Sequence, residues 1–258
     1  MDLIDSHAHL TSTGLAERLE EVLTGAVAAG VGHIITVAAS VEDARAARDI
    51  AADHPIVSAT AGIHPHEAAK ARTGDVERIA ELLDEPEVMA VGEIGLDFHY
   101  DFADRQTQID LLSAQLEMAS GRDLPLVIHC REAVSDTVAL LERYGFRDRK
   151  VVFHCFTGSA AEARTVREYG WRLSFAGMVT FKNARALQDL AGEYPADELM
   201  LETDSPYLSP VPVRHVKPNE PAHLCHTAAF LAKLRQTPLA ELAAQTRENT
   251  RQFFRLPV

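Results

Sequence analysis

The sequence predicts an α/β fold, a (β/α)8 TIM barrel formed by residues 1–258 as a single domain, with its active site at the C-terminal ends of the strands. Two observations predict it. Short β-branched runs recur eight times, each followed by a polar loop and an apolar pattern of helical period. The connections are too long for hairpins, so consecutive strands must run parallel. Such units close most simply into a barrel. An open doubly wound sheet is the alternative, but no Gly-x-Gly-x-x-Gly follows the first strand to support it.

The opening strand is the apolar run that ends in Asp5-Ser6-His7-Ala8-His9. Leu15, Leu19, Val22, Leu23, Ala26 and Val27 follow at helical spacing, and Gly30 and Gly32 stop that helix. The later strands are expected at His33–Ala38, Ile56–Ala61, Val88–Glu93, Pro125–His129, Lys150–His154, Trp171–Phe175 and Glu198–Thr203. Between them lie helical patterns at Val41–Asp53, Gly74–Glu85, Asp104–Ser120, Glu132–Tyr144, Ser159–Tyr169 and Asn183–Gly192. Helices near His223–Arg235 and Pro238–Thr250 close the chain. Ser159 is expected to cap its helix, whose first amides would also suit a phosphate.

The formal charge of −13 argues against broad binding to duplex nucleic acid, which depends on neutralising many phosphates. It leaves room for an enzyme that takes short or single strands. No secretory signal and no apolar run of membrane-spanning length is present. The three cysteines do not form a disulfide framework and point to a reducing, cytoplasmic setting.

Polar residues fall where the fold predicts a mouth. In an extended strand His7 and His9 project to one side. Alone, that pair has little meaning. Glu93, His129 and His154 end strands four, five and six, and Asp204 follows strand eight. In a parallel barrel all of these reach the same face, where barrel enzymes place their chemistry. Four imidazoles and two carboxylates exceed a single tetrahedral zinc site and fit two divalent ions sharing a carboxylate. His7, His9, Glu93 and Asp204 are assigned to the first ion, and Glu93, His129 and His154 to the second, with Glu93 as the bridge. Imidazole-rich ligation favours zinc or another transition metal by ligand type.

The ordered segments Asp5-Ser6-His7-Ala8-His9, Gly62-Ile63-His64-Pro65-His66, Gly92-Glu93-Ile94-Gly95-Leu96-Asp97, Ile128-His129-Cys130-Arg131, His154-Cys155-Phe156-Thr157-Gly158, Glu202-Thr203-Asp204-Ser205-Pro206-Tyr207 and Asn219-Glu220-Pro221 cover nearly the whole chain. Together they resemble the TatD family of metal-dependent deoxyribonucleases in the amidohydrolase superfamily. The resemblance implies a barrel, a divalent-metal site and exonucleolytic hydrolysis of single strands, with magnesium or manganese as further metal candidates. Two departures stand out. Arg214 is followed by His215 where the family usually has Gly, which touches substrate contacts of Arg214 and not the metal site. No lysine lies near Glu93, which argues against a carbamylated-lysine bridge.

The expected reaction is phosphodiester hydrolysis of nucleic acid, single-stranded DNA foremost, by a water that two ions activate; no protein partner is expected. Asp204 would orient that water and take its proton, with Glu93 as the second catalytic carboxylate. His64 and Arg131 are the candidate substrate contacts, Arg131 through a bidentate phosphate pair or else a salt bridge to an acidic loop. His66 is expected to be structural. Asp5 and Glu202 share parity with His7 and Asp204, and each is either a ligand's partner or a buried carboxylate bonded to backbone. Cys130 and Cys155 are expected to be buried apolar residues and not ligands. Tyr207 and Phe181 are expected to pack in the core or a lid, with base stacking as the other reading. The competing activities are cleavage of a C–N bond in a cyclic amide or nucleobase, and metal binding without catalysis.

Overall fold

The computed structural model describes residues 2–256. Its strands are β1 (Leu3–Ala8), β2 (Val31–Thr36), β3 (Val57–Ala61), β4 (Val88–Asp97), β5 (Leu126–Arg131), β6 (Val151–Phe153), β7 (Arg172–Phe175) and β8 (Met200–Leu201). Between them, in strict alternation, run α1 (Leu19–Ala28), α2 (Val41–Asp53), α3 (Asp75–Leu82), α4 (Arg105–Ser120), α5 (Val134–Arg143), α6 (Ala160–Glu168) and α7 (Arg185–Glu193). The helices α8 (Leu224–Leu234) and α9 (Leu239–Phe254) follow β8. The strands form an eight-stranded sheet in sequence order, β1 through β8. This is the (β/α)8 class that the sequence predicts. No helix among the described residues is long and apolar enough to cross a membrane.

The chain divides into two compact units, Met1–Thr36 with Leu173–Val258, and Val37–Arg172. In the first, β7 pairs with β8 and β1 with β2, both parallel, and a parallel bridge between Ala8 and Ser205 joins the ends of β8 and β1. First and last strand are therefore neighbours. Every residue of β1 is buried, as expected of a parallel strand covered on both faces. Helix α9 packs on β1 and β8 and buries Phe253 and Phe254, which carries it past the Thr250 end expected from sequence. Each such fully buried ring contributes about 1.5–3 kcal/mol.

In the second unit β3, β4, β5 and β6 pair in that order, again parallel. Trp171 is buried against Phe153 and Tyr169, and its indole N–H donates to the Phe146 carbonyl at 2.9 Å. Side-chain caps start several helices: Ser40 accepts from Asp43 N–H, and Asp104 from Thr107 N–H. Ser159 caps α6 in a reciprocal capping box with Glu162, so its own N–H already donates to that carboxylate. The expected cap is present; that amide is not open to a phosphate.

Strand boundaries differ from expectation where the site is built. β4 runs on to Asp97 and β5 to Arg131, beyond the expected ends at Glu93 and His129. Glycine makes the extension possible. A Cβ at Gly95 would meet the His129 carbonyl oxygen at 1.9 Å, and one at Gly92 would meet Val127 Cβ at 2.7 Å. Only glycine lets the two backbones approach this closely. β8 is shorter than expected because the chain leaves the sheet after Leu201 and Asp204 turns into the left-handed region at φ 54°.

Candidate active site

In the first unit, backbone bonds bring the end of β1 and the segment after β8 together. Asp204 N–H donates to the His7 carbonyl at 2.9 Å, and His9 N–H to the Ser205 carbonyl at 2.7 Å. Asp5 reinforces the join: its carboxylate accepts from the N–H groups of Thr203 (2.9 Å) and His7 (3.3 Å) and from the Thr203 hydroxyl (2.5 Å). Burial pushes its pKa up to about 7, against the pull of those hydrogen bonds. Asp5 thus holds backbone and touches no imidazole in these bonds. Asn219 locks the far side, donating to the carbonyls of Thr203 (3.0 Å) and Tyr207 (2.6 Å) while its oxygen meets His223 Nδ1 at 2.9 Å.

The side chains that this frame presents are His7, His9 and Asp204. The two Nε2 atoms lie 3.3 Å apart, and Asp204 Oδ1 is 3.8 Å from His7 Nε2 and 3.7 Å from His9 Nε2. Those last distances are too long for hydrogen bonds. They are close to the separation of about 3.4 Å between ligand atoms around a tetrahedral ion with bonds near 2.1 Å. Two imidazoles and one carboxylate are a suitable donor set for a divalent metal and leave coordination positions for water or substrate.

In the second unit the donors form a tighter cluster. Glu93 Oε1 is 2.6 Å from His154 Nε2, 2.8 Å from His129 Nδ1 and 3.3 Å from His64 Nε2. His129 Nδ1 and His154 Nε2 are 3.3 Å apart. The register of β4 and β5 explains the position of His129: it pairs with Gly95, midway between Glu93 and Asp97, all three on one face of β4. Its other nitrogen, Nε2, meets Asp97 Oδ2 at 3.0 Å, and His66 Nε2 reaches the same oxygen at 2.8 Å.

The electrostatics follow. Burial pushes the Asp97 carboxyl up, but hydrogen bonds from His129 and His66 and from the Tyr100 N–H outweigh it and hold the group well below the usual carboxylate range. Burial pushes His129 down, and its bonds to Asp97 and Glu93 reverse the shift and raise it. Burial brings His64 down to about 4, with Glu93 opposing, so His64 is neutral at pH 7. Its Nδ1 accepts from His66 N–H at 3.0 Å, which leaves the proton on the Nε2 that faces Glu93. Nε2 of His129 donates to Asp97, and Nδ1, which faces Glu93 and His154, is the nitrogen placed to meet a metal with them. The imidazoles of His64, His66 and His129 also lie close together, but hydrogen bonds to Asp97 and Glu93 already engage them.

Residues 4–255 match the family model described as TatD related DNase. The chain belongs to this TatD-related family. It is 36% identical to an uncharacterized metal-dependent hydrolase, YabD, of Bacillus subtilis over 98% of this chain and 99% of that one. It is 34% identical to the 3'-5' ssDNA/RNA exonuclease TatD of Escherichia fergusonii over 98% of each chain. Among solved structures, the TatD homologue YJJV of Escherichia coli superposes with a TM-score of 0.93 at 30% identity, over 99% of this chain and 98% of that one. As a TatD-type protein, the chain is a metal-dependent hydrolase.

Within this TatD-family frame the remaining expectations find their places. His66 donates to Asp97 Oδ2. Among the described residues Arg131 makes no ion pair with an acidic loop; its guanidinium lies 5.0 Å from the centre of the Tyr100 ring. Glu202 is buried and accepts from the Ser174 hydroxyl at 2.6 Å. Cys130 and Cys155 are half-buried, less covered than expected, and burial pushes the Cys130 thiol up to about 12, which leaves it inert at neutral pH. Tyr207 is 59% exposed beside His9, not packed in a core, and Phe181 lies under the Arg214 guanidinium. Sequence reasoning passed over Asp97 and Asn219 as working residues. Asp97 carried a usable signal, since it shares strand parity with Glu93; Asn219 carried none beyond its motif.

Proposed function

We propose that the chain works as one domain that hydrolyses phosphodiester bonds of nucleic acid, single-stranded DNA foremost, from a strand end. The trio His7, His9 and Asp204 would hold one divalent ion and the trio Glu93, His129 and His154 a second. The observation that carries this reading is the first trio, whose two imidazole Nε2 atoms lie 3.3 Å from each other and 3.8 and 3.7 Å from Asp204 Oδ1, the spacing of ligand atoms around one ion. The likeness to proteins named 3'-5' ssDNA/RNA exonuclease supports the substrate class.

When bound, divalent ions polarise a phosphoryl oxygen and acidify a water. The chain's own groups do the rest. Asp204 orients the attacking water and accepts its proton, a role suited to a carboxylate that the left-handed backbone turns toward His7 and His9. Glu93 gathers His129 and His154 around one oxygen and so sets the second trio. Arg131, which makes no ion pair among the described residues, donates to phosphate oxygens, and His64, neutral and with its proton on Nε2, does so when Glu93 turns from it to an ion.

The test is hydrolysis of end-labelled single-stranded DNA, RNA, duplex DNA and a panel of cyclic amides in Mg²⁺, Mn²⁺ and Zn²⁺. Cleavage of single strands from one end is expected. Turnover of amides alone would overturn the reading in favour of C–N bond hydrolysis.

A further inference from the structure

The segment between β4 and α4, residues 98–104, presents two large aromatic side chains to solvent. Phe102 is 59% exposed and Tyr100 43%. Their ring centres are 5.6 Å apart, and one edge of Phe102 is backed by His66 at 4.5 Å. An exposed ring at a floppy tip would need no explanation, but this backbone is fixed. Asp97 Oδ1 accepts from the N–H groups of His99 (2.9 Å) and Tyr100 (3.1 Å), and the Gln108 amide donates to the carbonyls of Asp97 and Ala103, both at 2.9 Å. The rings stand in water on a backbone that is hydrogen-bonded on either side of them.

The frame is also the one that orients the candidate ligand. Asp97 pins this segment through Oδ1 while Oδ2 holds His129 and His66. Alongside Tyr100 lies the Arg131 guanidinium, 5.0 Å from the ring centre, while the nearby Glu132 carboxylate pairs with His99 at 2.7 Å instead. An exposed aromatic ring, tilted 45° to its neighbour, beside a guanidinium and next to the candidate active site matches a nucleotide: ring for base, cation for phosphate.

We propose that Phe102, flanked by Tyr100, is a base-stacking platform that seats a nucleotide of single-stranded substrate while Arg131 takes a phosphate of the same strand. The proposal rests on the nuclease reading and adds the subsite that would make the enzyme prefer unpaired strands, since a base in a duplex has no free face to offer. It also accounts for binding single strands on a chain of net charge −13, because stacking does not depend on phosphate neutralisation.

The experiment measures Kd by fluorescence anisotropy for a labelled phosphorothioate oligothymidylate and for an abasic strand of equal length. Wild type, Phe102→Ala and Phe102→Trp are compared in the same metal. Phe102→Ala is expected to weaken oligothymidylate binding about fivefold or more, leave the abasic strand unaffected, and keep the wild-type melting temperature. Phe102→Trp is expected to restore binding. Unchanged affinity in Phe102→Ala, or an equal loss on both strands, overturns the platform while wild-type cleavage of single strands leaves the nuclease reading intact. Wild-type protein that binds neither strand overturns both.

Discussion

The two candidate ligand trios are built by different means. His7, His9 and Asp204 are placed by main chain: bonds between the end of β1 and the segment after β8 fix the backbone, Asp5 and Asn219 brace it, and Asp204 Oδ1 stands 3.8 and 3.7 Å from the two imidazole Nε2 atoms. Glu93, His129 and His154 are placed by side chain: the carboxylate bonds its imidazoles directly, and Asp97 holds the outer nitrogen of His129. In the first arrangement the carboxylate stands apart from the imidazoles, whereas in the second it is hydrogen-bonded to both, so cation binding at the second should depend more on pH and on hydrogen-bond partners.

The variant that tests the comparison most severely is His7→Ala combined with His9→Ala. It should leave the fold intact, cost one equivalent of metal by elemental analysis and lower the rate about 10³-fold or more, the scale of several kcal/mol of lost charge stabilisation. Retention of both equivalents would mean that the first trio is not a ligand set. Asp204→Asn should lower the rate about 10²-fold, the usual scale of a lost general base. Full metal occupancy with a near-normal rate would remove Asp204 from the proton transfer.

Asp97→Asn separates the trios. It should weaken metal binding about 10- to 100-fold at the second trio alone, seen as one altered step in a two-step titration. Equal weakening of both steps would contradict the separate construction of the two. Asn219→Ala is its counterpart in the first unit. By leaving the Thr203 and Tyr207 carbonyls without their donor it should cost about 1–3 kcal/mol in urea unfolding and loosen the first ion, not the second.

The smallest effect separates fold from site. His33 on β2 pairs with Ile4 near the start of β1, while His7 and His9 lie toward its end, and burial holds the His33 pKa down to about 4. Its unfolded value near 6.5 is higher, so the unfolded chain takes up the proton first. The neutral side chain's contribution is therefore complete above pH 6.5 and is lost as the pH falls toward 4. His33→Gln should flatten unfolding free energy across that window by on the order of 1 kcal/mol, without changing metal content. An unchanged pH slope would show that His33 is not the group that titrates.

The legible part of this protein was carried by local signals. Alternating β-branched and amphipathic runs specified the strands and helices because period and composition act over neighbouring residues. His7, His9, Glu93, His129, His154 and Asp204 were legible because each stands at or just past the end of a β-branched run, a position readable without coordinates, although β4 and β5 continue beyond Glu93 and His129. Extension of β4 to Asp97 was hidden, since it depends on Gly92 and Gly95 admitting the β5 backbone, a contact between segments more than thirty residues apart.

By itself, then, the sequence determined the order of elements and the chemistry of the donor set. Only tertiary structure decided which nitrogen of each imidazole faces the donors, that Asp97 rather than Asp5 is the carboxylate behind a candidate ligand, and that Phe102 and Tyr100 stand in solvent beside Arg131. The physical reason is that residue type fixes what an atom can bind, whereas hydrogen-bond distance and exposure are set by chain segments remote in sequence.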